Sequence, residues 1–468
     1  MDPAAQELVQ RCTDLVRGRR VVLVGGVLAG STRRVQQLRS FGAADVLVVA
    51  EGLGTGGLPT PAEATSVVVE PTVRAERISD EVAGWIAFAA DPPAPARAAV
   101  ERFDPDHSAV CLLGPFATVA DYLGRTVLGG RTPAAQALED KTLADGLWDR
   151  AGVARAPSAV VECRWVDLRE AMSALDRGDG TVWAADASDG VNGAGDGVRW
   201  VRDGTEARAA LDHLAAMSRR VRVMPFLPGV PCSIHGFVVD GGVAAFRPVE
   251  LAVLRGVDGA GLARFVSAGI SSCWEPPATD REVMRDVARR VGAHLAQVAG
   301  FRGGFSVDGV LTAQGFLPTE LNPRFSGGLN TIAHGVPELP LELLQGAVVR
   351  GVDVGARPEV VEQALLPAAD ARPFGAMHAV VTDRTPARTE AVVVTGGPGR
   401  LAPAAPGDPV AGTLELGPSA LGGLVRFVPA EQRPGMRFAS WSVAALALAD
   451  RLWHTGFGEL HVAPEVRH

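Results

Sequence analysis

Residues 303–328 read GGFSVDGVLTAQGFLPTELNPRFSGG, two strand-like runs around Ala313-Gln314-Gly315. A three-residue loop with Gly315 in the left-handed region is a common hairpin connection. It sets Thr312 opposite Phe316 and Asp308 opposite Glu320. Side chains alternate along a strand, so Asn322 shares the face of Glu320. Two carboxylates and an amide left unpaired on one face destabilise it by like-charge repulsion. A divalent cation resolves the conflict, and a few oxygen ligands of this kind suit Mg²⁺ that also bridges phosphates. Arg324 follows with a planar fork suited to a phosphate. The plainer alternative is a solvated hairpin face with a Glu320–Arg324 ion pair. The four residues at this spacing favour the metal–phosphate site.

Composition narrows the field. The chain has 468 residues, 47% hydrophobic and 21% charged, with net charge −8. At ~150 residues per domain this predicts about three domains, or two with a large central one. The acidic balance, the absence of a basic run and the few aromatics argue against nucleic acid as a partner. Lys141 is the only lysine in an arginine-based chain rich in Ala, Gly and Pro, the usage of a GC-rich bacterial genome. Cys12, Cys111, Cys163, Cys232 and Cys273 are odd in number and scattered, which favours reduced thiols. The acidic start MDPAAQELVQ lacks a signal-peptide core. No apolar run approaches the ~20 residues of a membrane span. A cytoplasmic protein is expected.

Upstream of the hairpin, TDREVMRDVARRVGAHLAQVAG (279–300) predicts a helix. Thr279 and Glu282 are expected as its capping box, Val283, Val287, Val291, Leu295 and Val298 as its apolar face, and Gly300 as its stop. Val21–Val24 and Val46–Val49 read as buried parallel strands joined by a helix. Gly25-Gly26-x-x-x-Gly30 with Glu51 only partly matches a dinucleotide loop, and a tight strand-to-helix turn accounts for it. After about residue 355, Pro- and Gly-rich breaks separate short strands, with a late helix near 442–453. The expected organisation is an α/β unit over 1–135, a central unit over 136–355 with a subdomain at 155–225, and an α+β unit over 356–468.

The hairpin motif E-x-N-P-R with its Ser-Gly-Gly turn resembles that of the ATP-grasp carboxylate–amine ligases. The order of an α/β domain, an Asp-Lys opening, a glycine-rich loop and a hinge strand is also similar. More narrowly, VWAADASDGVNGAGDGVRWV, PCSIHGF, RPVELAVLRG and TELNPRFSGG resemble the pheganomycin-type peptide ligases of actinomycetes. The resemblance spans roughly residues 1–350 and implies α/β and α+β multidomain architecture: a Rossmann-like pre-ATP-grasp domain, a two-lobed ATP-grasp domain and a small C-terminal α+β domain.

It also implies roles. Asp308, Glu320 and Asn322 become Mg²⁺ ligands, Arg324 an acyl-phosphate contact and Lys141 a nucleotide contact. Ser188, Asn192 and Gly193 fall in the lid loop, whose glycines let backbone N–H groups approach phosphates. Met224, Phe226 and Leu227 match the adenine hinge, with Ser233, His235 and Glu250 at nucleotide-facing positions. Ser326, Gly327 and Gly328 shape the floor under the acyl-phosphate. Many lids of this family carry a lysine where this chain has Val182-Trp183-Ala184, so Arg247, Arg255 and Arg302 are candidates for the missing phosphate contact. The activity implied is ATP-dependent joining of a small carboxylate to an amine, as amino acid or peptide, in peptide natural-product biosynthesis. A homodimer is compatible with this reading. Two rivals remain: a catalytically silent ATP-binding protein, and a nicotinamide-dependent oxidoreductase built on Gly25–Gly30 and Glu51.

Overall fold

The computed structural model describes residues 2–71, 75–186, 195 and 197–466. Three sheets organise these residues. The first holds β1 (Arg20–Val24), β2 (Asp45–Ala50), β3 (Thr65–Val68), β4 (Val110–Leu113), β5 (Asp121–Tyr122) and β6 (Arg125–Gly129), in the order β3-β2-β1-β4-β6-β5. All its pairs are parallel except the β5–β6 edge. β1 and β2 are buried on both faces, the reason for their unbroken Val/Leu runs. After β1 the chain turns at Gly25 (φ 93°) and Gly26 (φ 71°), then enters the helix Leu28–Ser40. This is the tight strand-to-helix turn, at φ values that favour glycine.

The second sheet is antiparallel, with β7 (Ala159–Glu162), β8 (Thr181–Ala185), β9 (Val198–Val201) and β10 (Arg220–Pro225) in the order β7-β10-β8-β9. Alternation gives it two distinct faces. Trp183, Ala185, Val221 and Val223 bury against the helices Trp165–Leu175 and Gly204–Ala215. Val182, Ala184, Arg222 and Met224 turn to the other side and line a cleft.

The third sheet has twelve strands. These are β11 (Val230–Val239), β12 (Gly242–Ala245), β13 (Val249–Val257), β14 (Ala263–Ser271), β15 (Gly303–Thr312), β16 (Gly315–Asn322), β17 (Gly375–Val381), β18 (Glu390–Gly397), β19 (Arg400–Pro403), β20 (Gly412–Ser419), β21 (Gly422–Pro429) and β22 (Leu460–His461). The main path runs β16-β15-β11-β13-β14-β17-β21-β20-β18-β19, with β12 on β11 and β22 on β13. The strands after residue 370 thus continue the central sheet through β14 and β17, joined at Ile270↔Ala376 and Ser271↔Gly375.

The helix Ala278–Ala299 packs on this sheet with Met284, Val287, Ala288, Val291 and Leu295 buried. Gly300 (φ 57°) ends it as expected. Its start differs from expectation: Pro277 is the N-cap, no side chain caps the helix, and the Thr279–Glu282 box does not form. Val283 and Val298 are 52% and 53% exposed, so the buried stripe runs through Met284 and Ala288 instead. The late helix spans Phe438–Trp453, beginning four residues before the expected start, because its cap comes from another strand. Glu250 on β13 accepts from Phe438 N at 2.6 Å and from Arg437 Nε at 3.0 Å.

Among the described residues no helix is long and apolar enough to cross a membrane. All five cysteines are unpaired.

Candidate active site

The hairpin reaches the expected geometry by another route. Its turn has two residues, Ala313 and Gln314, with Thr312 opposite Gly315. Continued regularly, that register sets Asp308 against Thr319 and sends Glu320 to the opposite face. A bulge between Asp308 and Gly309 absorbs one residue, Thr319, and restores the Asp308↔Glu320 pair, with Ser306↔Asn322 beyond it. An extra residue of this kind re-aims side chains, and bulges are common beside active sites.

The side chains converge as a connected group. Asp308 accepts from Ser233 Oγ at 2.6 Å and from Asn322 Nδ2 at 3.0 Å. Glu320 is paired with Lys141, Nζ to Oε1 at 3.0 Å, and not with Arg324. Lys141 opens the short turn Lys141–Leu143, which Asp140 caps by accepting from Thr142 N at 2.9 Å. Arg324 donates to Asn322 Oδ1 at 2.8 Å and to Glu139 Oε1 at 2.6 Å, with its guanidinium 4.5 Å from the ring centre of Phe116.

Burial and the facing Glu320 push the Asp308 carboxyl up to about 6. Its hydrogen bonds, from Ser233, Asn322 and Ser306, come from neutral groups, while Lys141 sits on Glu320. Two carboxylates and an amide oxygen, with one acid short of a cation, form a donor set that fits a hard divalent ion. Among the described residues no three His, Cys, Asp or Glu side chains form such a group, so the amide of Asn322 is needed for a third protein oxygen.

Lys141, Asp308 and Glu320 of this cluster line a cleft of about 800 Å³ between the second and third sheets, and Asn322 and Arg324 adjoin them outside its lining. Met224, Phe226 and Leu227 line the cleft, as does Arg255, whose Nη2 donates to Val462 O at 3.0 Å. Phe226 lies in a stack with Trp200 and Phe265, at centroid distances of 4.6 Å and 6.4 Å.

Other expected residues lie elsewhere. Arg247 is 2% exposed, bound to Asp370 at 2.7 Å and to Ala369 O at 3.1 Å. Arg302 pairs with Asp240 at 2.5 Å. Glu250 is the helix cap described above. None of the three lines the cleft, and neither do Ser233, His235, Ser326, Gly327 or Gly328. Strand alternation identifies a face but not which face is open, and these arginines satisfied acids or carbonyls distant in sequence. Ser188, Asn192 and Gly193 lie outside the described residues.

Ser326 caps the helix Gly327–Gly335, accepting from Leu329 N. His235 is buried behind that helix, and burial pushes its imidazole down to about 3, so it is neutral. A Cβ on Gly328 would lie 2.1 Å from His235 Nε2. Gly328→Ala is therefore expected to cost about 1–3 kcal/mol, the range for overpacking a tight contact. Adding His235→Ala to that variant is expected to recover part of the loss. Thermal melting decides, and a Gly328→Ala variant that melts like the parent refutes the contact.

Three further residues at the site escaped the sequence reading. Glu139 serves both Arg324 and Arg131, whose Nη1 lies 2.7 Å from Glu139 Oε2. Arg222, only 1% exposed, faces the cleft from β10. Glu139 stands two residues before the sole lysine, the one local signal that marked it.

No family model matches the sequence, and no curated protein matches it. Solved structures do match. A phosphoribosylamine–glycine ligase from Thermotoga maritima is 16% identical with TM-score 0.52, over 95% of this chain and 97% of that one. A carboxyaminoimidazole ribonucleotide synthase from Aspergillus clavatus, complexed with ATP, is 12% identical with TM-score 0.51, over 93% of this chain and 99% of that one. An N5-carboxyaminoimidazole synthase from the same organism, in complex with ADP and 5-aminoimidazole ribonucleotide, is 12% identical with TM-score 0.50 over the same shares. At these identities the likeness is one of fold. Together with the E-x-N-P-R hairpin and the two sheets facing across a cleft, it establishes that this chain has the ATP-grasp fold.

Proposed function

We propose that the chain is an ATP-dependent carboxylate–amine ligase that makes an amide bond through an acyl-phosphate. The observation that carries the reading is the convergence of Asp308, Glu320, Asn322, Lys141 and Arg324 in and beside a large cleft. Asp308, Glu320 and Asn322 would hold Mg²⁺, whose charge supports phosphoryl transfer. Lys141 and Arg324 are the cations for the nucleotide and the acyl-phosphate. Met224, Phe226 and Leu227 offer the apolar surface an adenine needs. A substrate carboxylate oxygen attacks the γ-phosphorus as the bond to the β-phosphate oxygen breaks, and ADP leaves. An amine nitrogen then attacks the acyl carbon, phosphate leaves, and the nitrogen gives up a proton. Arg324 neutralises charge on the transferred group, and Glu139 with Phe116 fixes its plane.

The finer reading is a peptide ligase of natural-product biosynthesis, taking an amino acid or peptide as acid and amine. The cleft supports it, because about 800 Å³ is at the upper end of the range for small-molecule sites. One feature favours a silent ATP-binding protein instead: β8 offers only Val182 and Ala184 to the cleft. A screen of ADP release over amino acids and peptides separates the two. A ligase releases ADP with at least one acid–amine pair. An amine-reactive ATP analogue is expected to label Lys141, and excess ATP to suppress that labelling. ATP-protected labelling with no ADP from any pair would leave the silent reading.

A further inference from the structure

β10 presents Arg220, Arg222 and Met224 along one side, and Phe226 follows just beyond it, a row that changes from cationic to apolar in the direction of the chain. Arg222 sits at the change. Its side chain is 1% exposed, and a cation buried that far needs strong acceptors. One carboxylate supplies part of this. Nε donates to Asp145 Oδ1 at 2.9 Å, and Nη2 lies 2.7 Å from the same oxygen, while Asp145 Oδ2 is taken by the Ser158 hydroxyl at 2.7 Å.

Nη1 is left with poor company: the Met224 sulfur at 3.2 Å and the Thr319 carbonyl at 3.4 Å. Thioether sulfur is a weak acceptor, and 3.4 Å is long for an N–H···O bond. These two contacts also fix where Nη1 stands. Met224 belongs to the apolar end of the cleft, and Thr319 is the residue before Glu320. The donor therefore lies between the surface that suits a base and the acids that suit a metal. Its cross-strand partner is Ala184, too short to fill that space.

We propose that Arg222 binds the phosphate chain of the nucleotide, with Asp145 holding the guanidinium so that Nη1 points into the cleft. The proposal rests on the reading of the cleft as a nucleotide site. Arg222 is a ligand-binding residue and Asp145 a positioning residue. A charge-assisted bond to phosphate contributes about 1.5–3 kcal/mol, which is ~10- to 100-fold in affinity.

Arg222→Ala alone takes from Asp145 its nearest cation, leaving Arg155 at 3.7 Å and the Ser158 hydroxyl, and risks misfolding. The test therefore uses the neutral pair Arg222→Gln with Asp145→Asn, in the full chain. Calorimetry reads affinity for ADP with Mg²⁺, and ligand-observed NMR reads adenosine, which lacks phosphate. The expected result is ADP affinity lower by about 10- to 100-fold with adenosine binding within twofold. Adding Ala184→Lys, which restores a cation at the paired position, is expected to recover about tenfold or more. Equal losses for both ligands, or no loss for ADP, overturn the proposal while the nucleotide reading stands. An unaltered chain that binds neither ligand overturns both.

Discussion

Glu320→Gln and Asn322→Ala are each expected to lower ADP release by about 100- to 1,000-fold, the cost of removing one contact that stabilises developing charge. Both residues bring an oxygen to the face they share with Asp308, and neither is needed to close the hairpin, which its backbone ladder holds. Glu320→Gln leaves the buried Lys141 with an amide in place of a carboxylate, and Asn322→Ala frees one guanidinium nitrogen of Arg324. Melting temperatures should accordingly fall by only a few degrees. The substrates are the acid–amine pair found by the ADP screen. The Mg²⁺ dependence of ADP affinity provides a second readout independent of turnover. Near-normal turnover at saturating Mg²⁺ in either variant would dismiss the metal assignment.

Asp308→Asn should end catalysis as well, yet make the ligand-free protein more stable. The carboxyl is held above its ordinary value, from 3.8 to about 6, by burial and by Glu320. An acid whose folded pKa is raised binds its proton more tightly in the native state. The contribution of this one group to native stability is then full below about pH 4 and is lost as the pH rises to about 6, where Asp308 ionises against Glu320. Two pH units correspond to roughly 2–3 kcal/mol. An amide in its place keeps an acceptor for Asn322 and a donor for the Ser233 oxygen, and carries no charge. The variant should match the parent near pH 4 and melt several degrees higher at pH 7, both in chelator. Melting curves at the two pH values decide, and a variant less stable than the parent at pH 7 would show that the carboxylate is not under electrostatic stress. Metal affinity of the parent should weaken below about pH 6, because the ligand must be deprotonated.

The sequence carried the site's local half. Strand alternation was enough to bring Asp308, Glu320 and Asn322 together, although through a turn and a bulge whose two errors cancel. The two-residue turn shifts the register by one, and Thr319 shifts it back. A bulge at Thr319 has no compositional mark, since threonine is an ordinary strand residue. The long-range half was hidden. Glu139 meets Arg324 across 185 positions, and Glu250 meets Phe438 across 188. The helix 278–299 illustrates a further limit. Periodicity finds the helix and most of its stripe, but the exposure of Val283 and Val298 depends on where neighbouring elements end. The three sheets were foreshadowed by Val-rich runs and turn residues. That the last strands extend the central sheet depends on two backbone pairs between β14 and β17, which no side-chain pattern specifies.

That junction has a consequence for how the chain can be divided. β14 pairs with β13 along one edge and with β17 along the other. Beneath it, Ala252, Leu254 and Ala268 share a core with Phe438, Ala445 and Leu448 of the last helix. A polypeptide ending after the hairpin motif would leave Ile270 and Ser271 of β14 without their backbone partners, above an uncovered apolar face. Such an edge is a template for pairing with another copy, and proteins normally block it. The C-terminal strands and helix therefore act as the guard of an otherwise sticky edge, and the half that carries the hairpin motif is expected to depend on them to remain monodisperse.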